Sequence, residues 1–213
     1  MFTLSSKTEV NRKFRLVELY KMMVADKEVK LDAKNIISVV LRNVISSDTM
    51  NLPSDGKVKE IYIFDIELDK KEIPTLFISS LDKAINLHTV FIIHYKNEQL
   101  LYGCFKEKTE KGVKLGKYYK TDWTTDTTPI PLPLNVANID DIYTAIIDIL
   151  IPIEANVGEQ TSDFVARFDK INKLKAEIER KQKQVDNERQ SKRRFELNDE
   201  LKKLKKEIKS LEN

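Results

Sequence analysis

The sequence predicts an α+β protein with a mixed or antiparallel sheet and packed helices, followed by a C-terminal antiparallel helical hairpin of coiled-coil type. Three observations carry this. Residues 58–68 are apolar on both parities, as in a strand covered on both faces. Residues 90–119 read as alternating strand segments separated by short turns. From Asp163 to the end there is neither glycine nor proline, and apolar residues recur at spacings of three and four.

Taken in order, Val10, Phe14, Val17, Tyr20 and Val24 recur at helical spacing and predict an amphipathic helix over residues 8–24. Residues 36–45 are β-branched and apolar on both parities, which fits a buried strand or a short helix, and Asp55-Gly56 is a turn signal. Residues 58–68 form a central strand. Pro74 suits a first helical turn, and Leu76, Phe77, Leu81 and Ile85 continue a helix that crosses the sheet. Residues 90–95, the turn Lys96-Asn97-Glu98, residues 99–105 and residues 113–119 make a three-stranded antiparallel meander. Pro129, Pro131 and Pro133 alternate within residues 124–135 and predict an extended spacer. Asn138 caps the next helix, Asp140 and Asp141 suit its first turn, and Ile142, Ile146, Ile149 and Leu150 form its stripe before Pro152 stops it.

The 213 residues allow one compact domain and an appendage. Gly158 marks the change in composition, so the expected division is a globular domain at 1–157 and a basic arm at 158–213. In the arm, Phe164, Ile171, Ile178 and Val185 repeat every seven residues with Leu174 between them, and Leu197, Leu201, Leu204, Ile208 and Leu211 form a second seam. The twelve residues from Val185 to Leu197 would misalign the two seams by about 120° on one helix. A turn is therefore expected between Glu188 and Arg194, with a second helix from Lys192 to Asn213 roughly 33 Å long. The seams are made within the chain or in a homodimer.

Charge is sorted along the chain. Residues 170–213 hold 15 Lys plus Arg and 9 Asp plus Glu, a net +6, whereas residues 1–169 carry −3. The single cysteine, Cys104, excludes an intrachain disulfide and a multi-cysteine metal cluster, and fits a reducing cytoplasm. Residues 1–7 lack the apolar stretch of a secretory signal. Residues 142–153 are broken by Asp148 and fall short of the ~20 needed for a membrane span. The expectation is a cytoplasmic protein with no membrane helix.

The segments Gln190-Ser191-Lys192-Arg193-Arg194-Phe195-Glu196-Leu197-Asn198-Asp199-Glu200-Leu201, Val58-Lys59-Glu60-Ile61-Tyr62-Ile63-Phe64-Asp65-Ile66-Glu67-Leu68 and Gly116-Lys117-Tyr118-Tyr119-Lys120-Thr121-Asp122-Trp123, with an opening Ser6-Lys7-Thr8-Glu9-Val10-Asn11, carry a resemblance. The chain resembles an uncharacterised bacterial family, domain of unknown function 4391, over nearly its whole length. The resemblance implies a companion of helicases and DNA methyltransferases in restriction or phage-defence gene clusters, and so a protein partner of that kind.

Few residues suggest chemistry. Asp65 and Glu67 share a parity and would project about 7 Å apart, as carboxylates holding Mg²⁺ in a nuclease do. The lysine that such sites carry two positions on is absent, since position 69 is Asp69, and a strand end turning to solvent is the preferred reading. His88 and His94 are too far apart along a strand to chelate one ion. Cys104 lies in an apolar strand and reads as a packed thiol. There is no glycine-rich phosphate loop, nucleophile elbow or metal-binding helix signature, so no cofactor or metal is expected. The cations Arg189, Lys192, Arg193 and Arg194 at the hairpin tip and Lys202, Lys203, Lys205 and Lys206 on the last helix could follow a phosphate backbone, and a solvated helix face is the simpler alternative. The leading expectation is a non-catalytic accessory protein that docks on a partner and contacts nucleic acid. A metal-dependent nuclease and a coiled-coil scaffold stand behind it.

Overall fold

The computed structural model describes residues 2, 4–53, 55–130, 132 and 136–212. Seven strands form one sheet: β1 (Glu9–Phe14), β2 (Ile36–Ser46), β3 (Glu60–Leu68), β4 (His88–Tyr95), β5 (Glu98–Thr109), β6 (Gly112–Lys120) and β7 (Thr124–Thr125). Their order is β1-β2-β3-β4-β5-β6, with β7 paired to the start of β5. Every pairing is antiparallel except β3 with β4, which run parallel from Ile61 opposite His88 to Leu68 opposite Tyr95. A parallel pair cannot be joined by a tight turn, so the chain crosses through a helix.

The helices are α1 (Leu16–Met23), α2 (Lys27–Asp32), α3 (Ser47–Met50), α4 (Thr75–Ile85), α5 (Ile139–Leu150), α6 (Thr161–Asn187) and α7 (Ser191–Glu212). Alternation along the strands sorts side chains to two faces. On one, Val39, Leu41, Phe64, Ile66, Leu68, Phe91, Ile93 and Leu100 form a core with Leu19 of α1, Val29 of α2 and Phe77, Ile78 and Leu81 of α4. On the other, Ile61, Ile63, Val90, Ile92 and Leu101 are buried, and α5 covers the β5 end. Its approach is close: a Cβ on Gly103 would meet Leu150 at 3.2 Å. Asn138 caps α5 as expected, and Asp140 accepts from the amides of Lys57 and Val58 at 2.9 and 2.6 Å, tying the helix to the chain just before β3.

The expected helix over residues 8–24 is corrected. Its first half is edge strand β1, and only residues 16–23 are helical. Hydrogen bonding to β2 supersedes the helical spacing, with a bulge between Glu9 and Arg12 where Asn11 takes φ 52°. Of the five apolar residues behind that expectation, Phe14 and Tyr20 pack against the core, whereas Val10, Val17 and Val24 face outward at 45%, 60% and 87% exposure. Within the expected spacer, Thr124 and Thr125 pair with β5, while Pro131 and Pro133 lie outside the described residues.

The chain divides into two compact units, Met1–Pro152 and Ile153–Asn213. In the second, α6 and α7 pack against each other after a break at residues 188–190. Phe164, Ile171, Leu174, Val185, Leu197, Leu201 and Ile208 are buried, whereas Ile178, Leu204 and Leu211 are half-buried. Arg167 closes the open end of the hairpin: its guanidinium donates to Glu159 Oε1 and Oε2 at 2.8 Å, to Glu154 O at 2.7 Å and to Leu211 O at 2.8 Å. Among the described residues no helix is long and apolar enough to cross a membrane.

Candidate functional site

Asp65 sits midway along β3, opposite Ile92 of the parallel partner strand, on the face opposite the α1–α2–α4 core. It is 5% exposed. Arg42, from β2, donates Nε–H to Asp65 Oδ2 at 2.7 Å and Nη1–H to Asn11 Oδ1 at 2.9 Å. The β1 bulge aims Asn11 at that guanidinium. His94, from β4, places Nε2 3.7 Å from Asp65 Oδ1, beyond hydrogen-bond range, and both atoms are buried without a hydrogen-bond partner. Burial alone would raise the Asp65 carboxyl, but His94 and Arg42 outweigh it and hold it below its ordinary value.

Glu67 stays exposed and accepts from Ser38 Oγ at 3.2 Å. The two carboxylates suggested by the sequence thus have separate partners, and Asp65 is joined to a cation, not to Glu67. Among the described residues no group of three or more His, Cys, Asp or Glu side chains is placed to hold a metal ion. No spacing signal connects Arg42 with Asp65, which is why the pair was not foreseen.

A second constellation was also missed. Asp82 of α4 and Lys106 of β5 form an ion pair at 2.5 Å with both side chains fully buried. Lys106 Nζ also donates to Leu87 O and Thr89 O at 3.2 and 3.1 Å and to Thr89 Oγ1. Asp82 accepts in addition from Tyr118 Oη at 2.6 Å and from Thr89 Oγ1. Burial pulls the Lys106 ammonium below its ordinary range, against the pull of Asp82. The network is closed on itself and seals α4 to the sheet. Lys106 points inward because it shares the parity of Leu100, Tyr102 and Cys104 along β5, and Tyr143 accepts from Lys106 N–H at 2.8 Å and donates to Cys104 O at 3.1 Å.

The remaining sequence candidates are packed. His88 lies edge-on to Tyr143 at 4.8 Å, and burial, with the Lys106 charge, brings it down to about 4, so it is neutral near pH 7. Cys104 is 1% exposed, and burial pushes its thiol up to about 12.

On the arm, all eight singled-out cations are exposed. Each of the five acids of α7 is in an ion pair: Glu196 with Arg193 at 3.2 Å, Asp199 with Lys202 at 3.6 Å, Glu207 with Lys170 at 2.8 Å, Glu212 with Lys175 at 2.9 Å, and Glu200 with Lys181. Three of those partners lie on α6. A helix turns about 100° per residue, so Glu200 and Glu207 flank the seam on one side while Lys202, Lys206 and Lys209 fall on the far side. Among the described residues Lys192, Arg194, Lys203, Lys205, Lys206 and Lys209 have no ion-pair partner. Phe195, 67% exposed, lies among them.

Comparison with known proteins places the whole architecture in one group. A family model described as Domain of unknown function (DUF4391) matches residues 2–208. No curated protein and no solved structure matches the chain. The match spans both the sheet and the arm, and the chain belongs to the family Domain of unknown function (DUF4391).

Proposed function

We propose that this protein is a non-catalytic accessory factor whose arm contacts the phosphate backbone of nucleic acid, acting in the cytoplasm within a bacterial restriction-type or phage-defence system. The observation that carries the reading is the sorting of charge on α7: its acids are drawn into ion pairs, and the unpaired Lys192, Lys203, Lys206 and Lys209 line the outer side. Cations arranged in this way neutralise phosphates without reading bases. Docking of the chain on a helicase or DNA methyltransferase rests on the family resemblance. A metal-dependent nuclease built on Asp65 and Glu67 has less support, because Arg42 holds one oxygen of Asp65 and a cation would have to displace it. A dimeric coiled-coil scaffold has less support because the seam residues face each other within one hairpin.

The test is a fluorescence titration of a labelled duplex at several salt concentrations, with wild type and a Lys192, Arg194, Lys203, Lys206→Gln variant. Each phosphate contact contributes about 0.9 to the slope of log affinity on log salt, so the variant should lose roughly 3.6 of that slope. Equal slopes, or no binding by wild type at low salt, would refute the arm as a phosphate-contacting surface.

A further inference from the structure

The connection from β3 to α4 and the end of β6 meet at a cleft of about 370 Å³, lined in part by Lys71, Thr75, Tyr102, Tyr118, Lys120 and Trp123. We infer that this cleft binds a nucleotide unit, its base stacked on the aromatic wall and its phosphate held by Lys120 beside the first turn of α4. The site lies in the first compact unit and stands independently of the arm.

Position comes first. The cleft opens beyond the carboxyl end of β3, one of the two parallel strands, where a sheet and the start of its crossover helix leave a crevice for ligands. Pro74, the N-cap of α4, supplies no side-chain acceptor, and the first turn holds no acid. The Phe77 amide is taken by Asp32 Oδ2 at 2.9 Å. The exposed Thr75, at the start of that turn, lines the cleft, and a helix N-terminus favours an anion.

The aromatic wall is built in advance. The Tyr102 and Tyr118 rings stack at 5.2 Å and 15°, and Tyr118 Oη is tied to Asp82 at 2.6 Å. Trp123 is fixed edge-on to Tyr95 at 6.5 Å, and Lys71 Nζ sits 4.9 Å from its ring centroid. A wall already ordered loses little freedom when a planar ligand stacks on it.

Charge completes the recognition. Lys71 is matched by Glu98 at 2.7 Å. Among the described residues the exposed Lys120 ammonium has no hydrogen-bond or ion-pair partner. Aromatic side chains lining a cleft with an unmatched cation beside them suit a ring that carries an anionic group, which is the chemistry of a nucleotide. That unit could be a free mononucleotide or an unpaired base in a strand.

Trp123 is the only tryptophan of the chain, so its emission reports on this cleft alone. The full-length protein is titrated with adenosine monophosphate, with a short oligodeoxyadenylate and with inorganic phosphate. Saturable quenching by the nucleotide or the oligonucleotide, and none by phosphate, is the expected result, and the better of the two organic probes identifies the source. Lys120→Gln should weaken it roughly tenfold. The arm variant with four glutamines should bind the mononucleotide as wild type does, which separates this site from the arm. Absence of saturable quenching by both organic probes, equal quenching by phosphate, or unchanged affinity in Lys120→Gln would overturn the inference.

Discussion

Replacing Lys106 by methionine should be the most damaging conservative change in the first compact unit. The side chain keeps most of its length but loses the charge that neutralises Asp82, and both side chains are fully buried. Removing one partner of a buried pair leaves an uncompensated charge and costs about 3–5 kcal/mol. Domain stability is typically ~5–15 kcal/mol, so Lys106→Met should fold with little margin. With a urea dependence of about 2 kcal/mol per molar, its unfolding midpoint by circular dichroism should fall by roughly 1.5–2.5 M. The argument is specific to charge, and a double variant checks it. Asp82→Asn with Lys106→Met removes both charges; the asparagine oxygen keeps an acceptor for one of the Thr89 and Tyr118 hydroxyls, which donate to separate oxygens of Asp82, and its amide can donate to the oxygen of the other. It should recover at least ~2 kcal/mol of the loss. A double variant as unstable as Lys106→Met, or a single-variant loss under about 1 kcal/mol, would refute a stranded charge as the cause.

Leu201→Ala removes a buried seam residue of α7 and should lower the stability of the hairpin by about 2–5 kcal/mol, visible as faster amide exchange in α6 and α7. Half-buried Leu204 should cost less on the same measurement. Asp65 is held below its ordinary value, so its contribution to stability is present above the unfolded-state value near about 3.9 and is lost as pH falls through the folded value. Arg42→Met should therefore move acid unfolding to higher pH, followed by circular dichroism, and an unmoved transition would show that the guanidinium does not hold the carboxylate. With its thiol at about 12, Cys104 is ionised in only about one molecule in 10⁴ at pH 8 and should react with a thiol reagent only on unfolding. Rapid native-state labelling would contradict its burial.

Where local pattern and tertiary packing agree, the fold was legible. Residues 58–68 are apolar on both parities because β3 lies between β2 and β4, and Asn138 caps α5 with a signal contained in four residues. The turn in the arm followed from a phase mismatch between two seams, and the break at residues 188–190 falls at the start of the expected window. Legibility failed where pairing across the sheet decided the outcome. Val10 and Phe14 have helical spacing, yet they belong to β1 because β2 offers backbone partners. Lys106 follows the inward parity of Leu100, Tyr102 and Cys104, but its partner Asp82 comes from α4, a pairing that no local pattern announces. The partners of Asp65 come from β2 and β4, at separations no local rule spans.

The terminal strands bear on whether the sheet can grow. A strand at the edge leaves a row of amide and carbonyl groups able to recruit another chain. At one edge, β1 carries the Asn11 bulge and exposes Glu9, Arg12 and Lys13. At the other, β6 exposes Lys114, Lys117 and Lys120. Two copies approaching β6 to β6 would bring like charges together, and copies approaching through β1 would meet a ladder already out of step. Both edges thus resist strand-by-strand addition, and the sheet ends at its own boundaries.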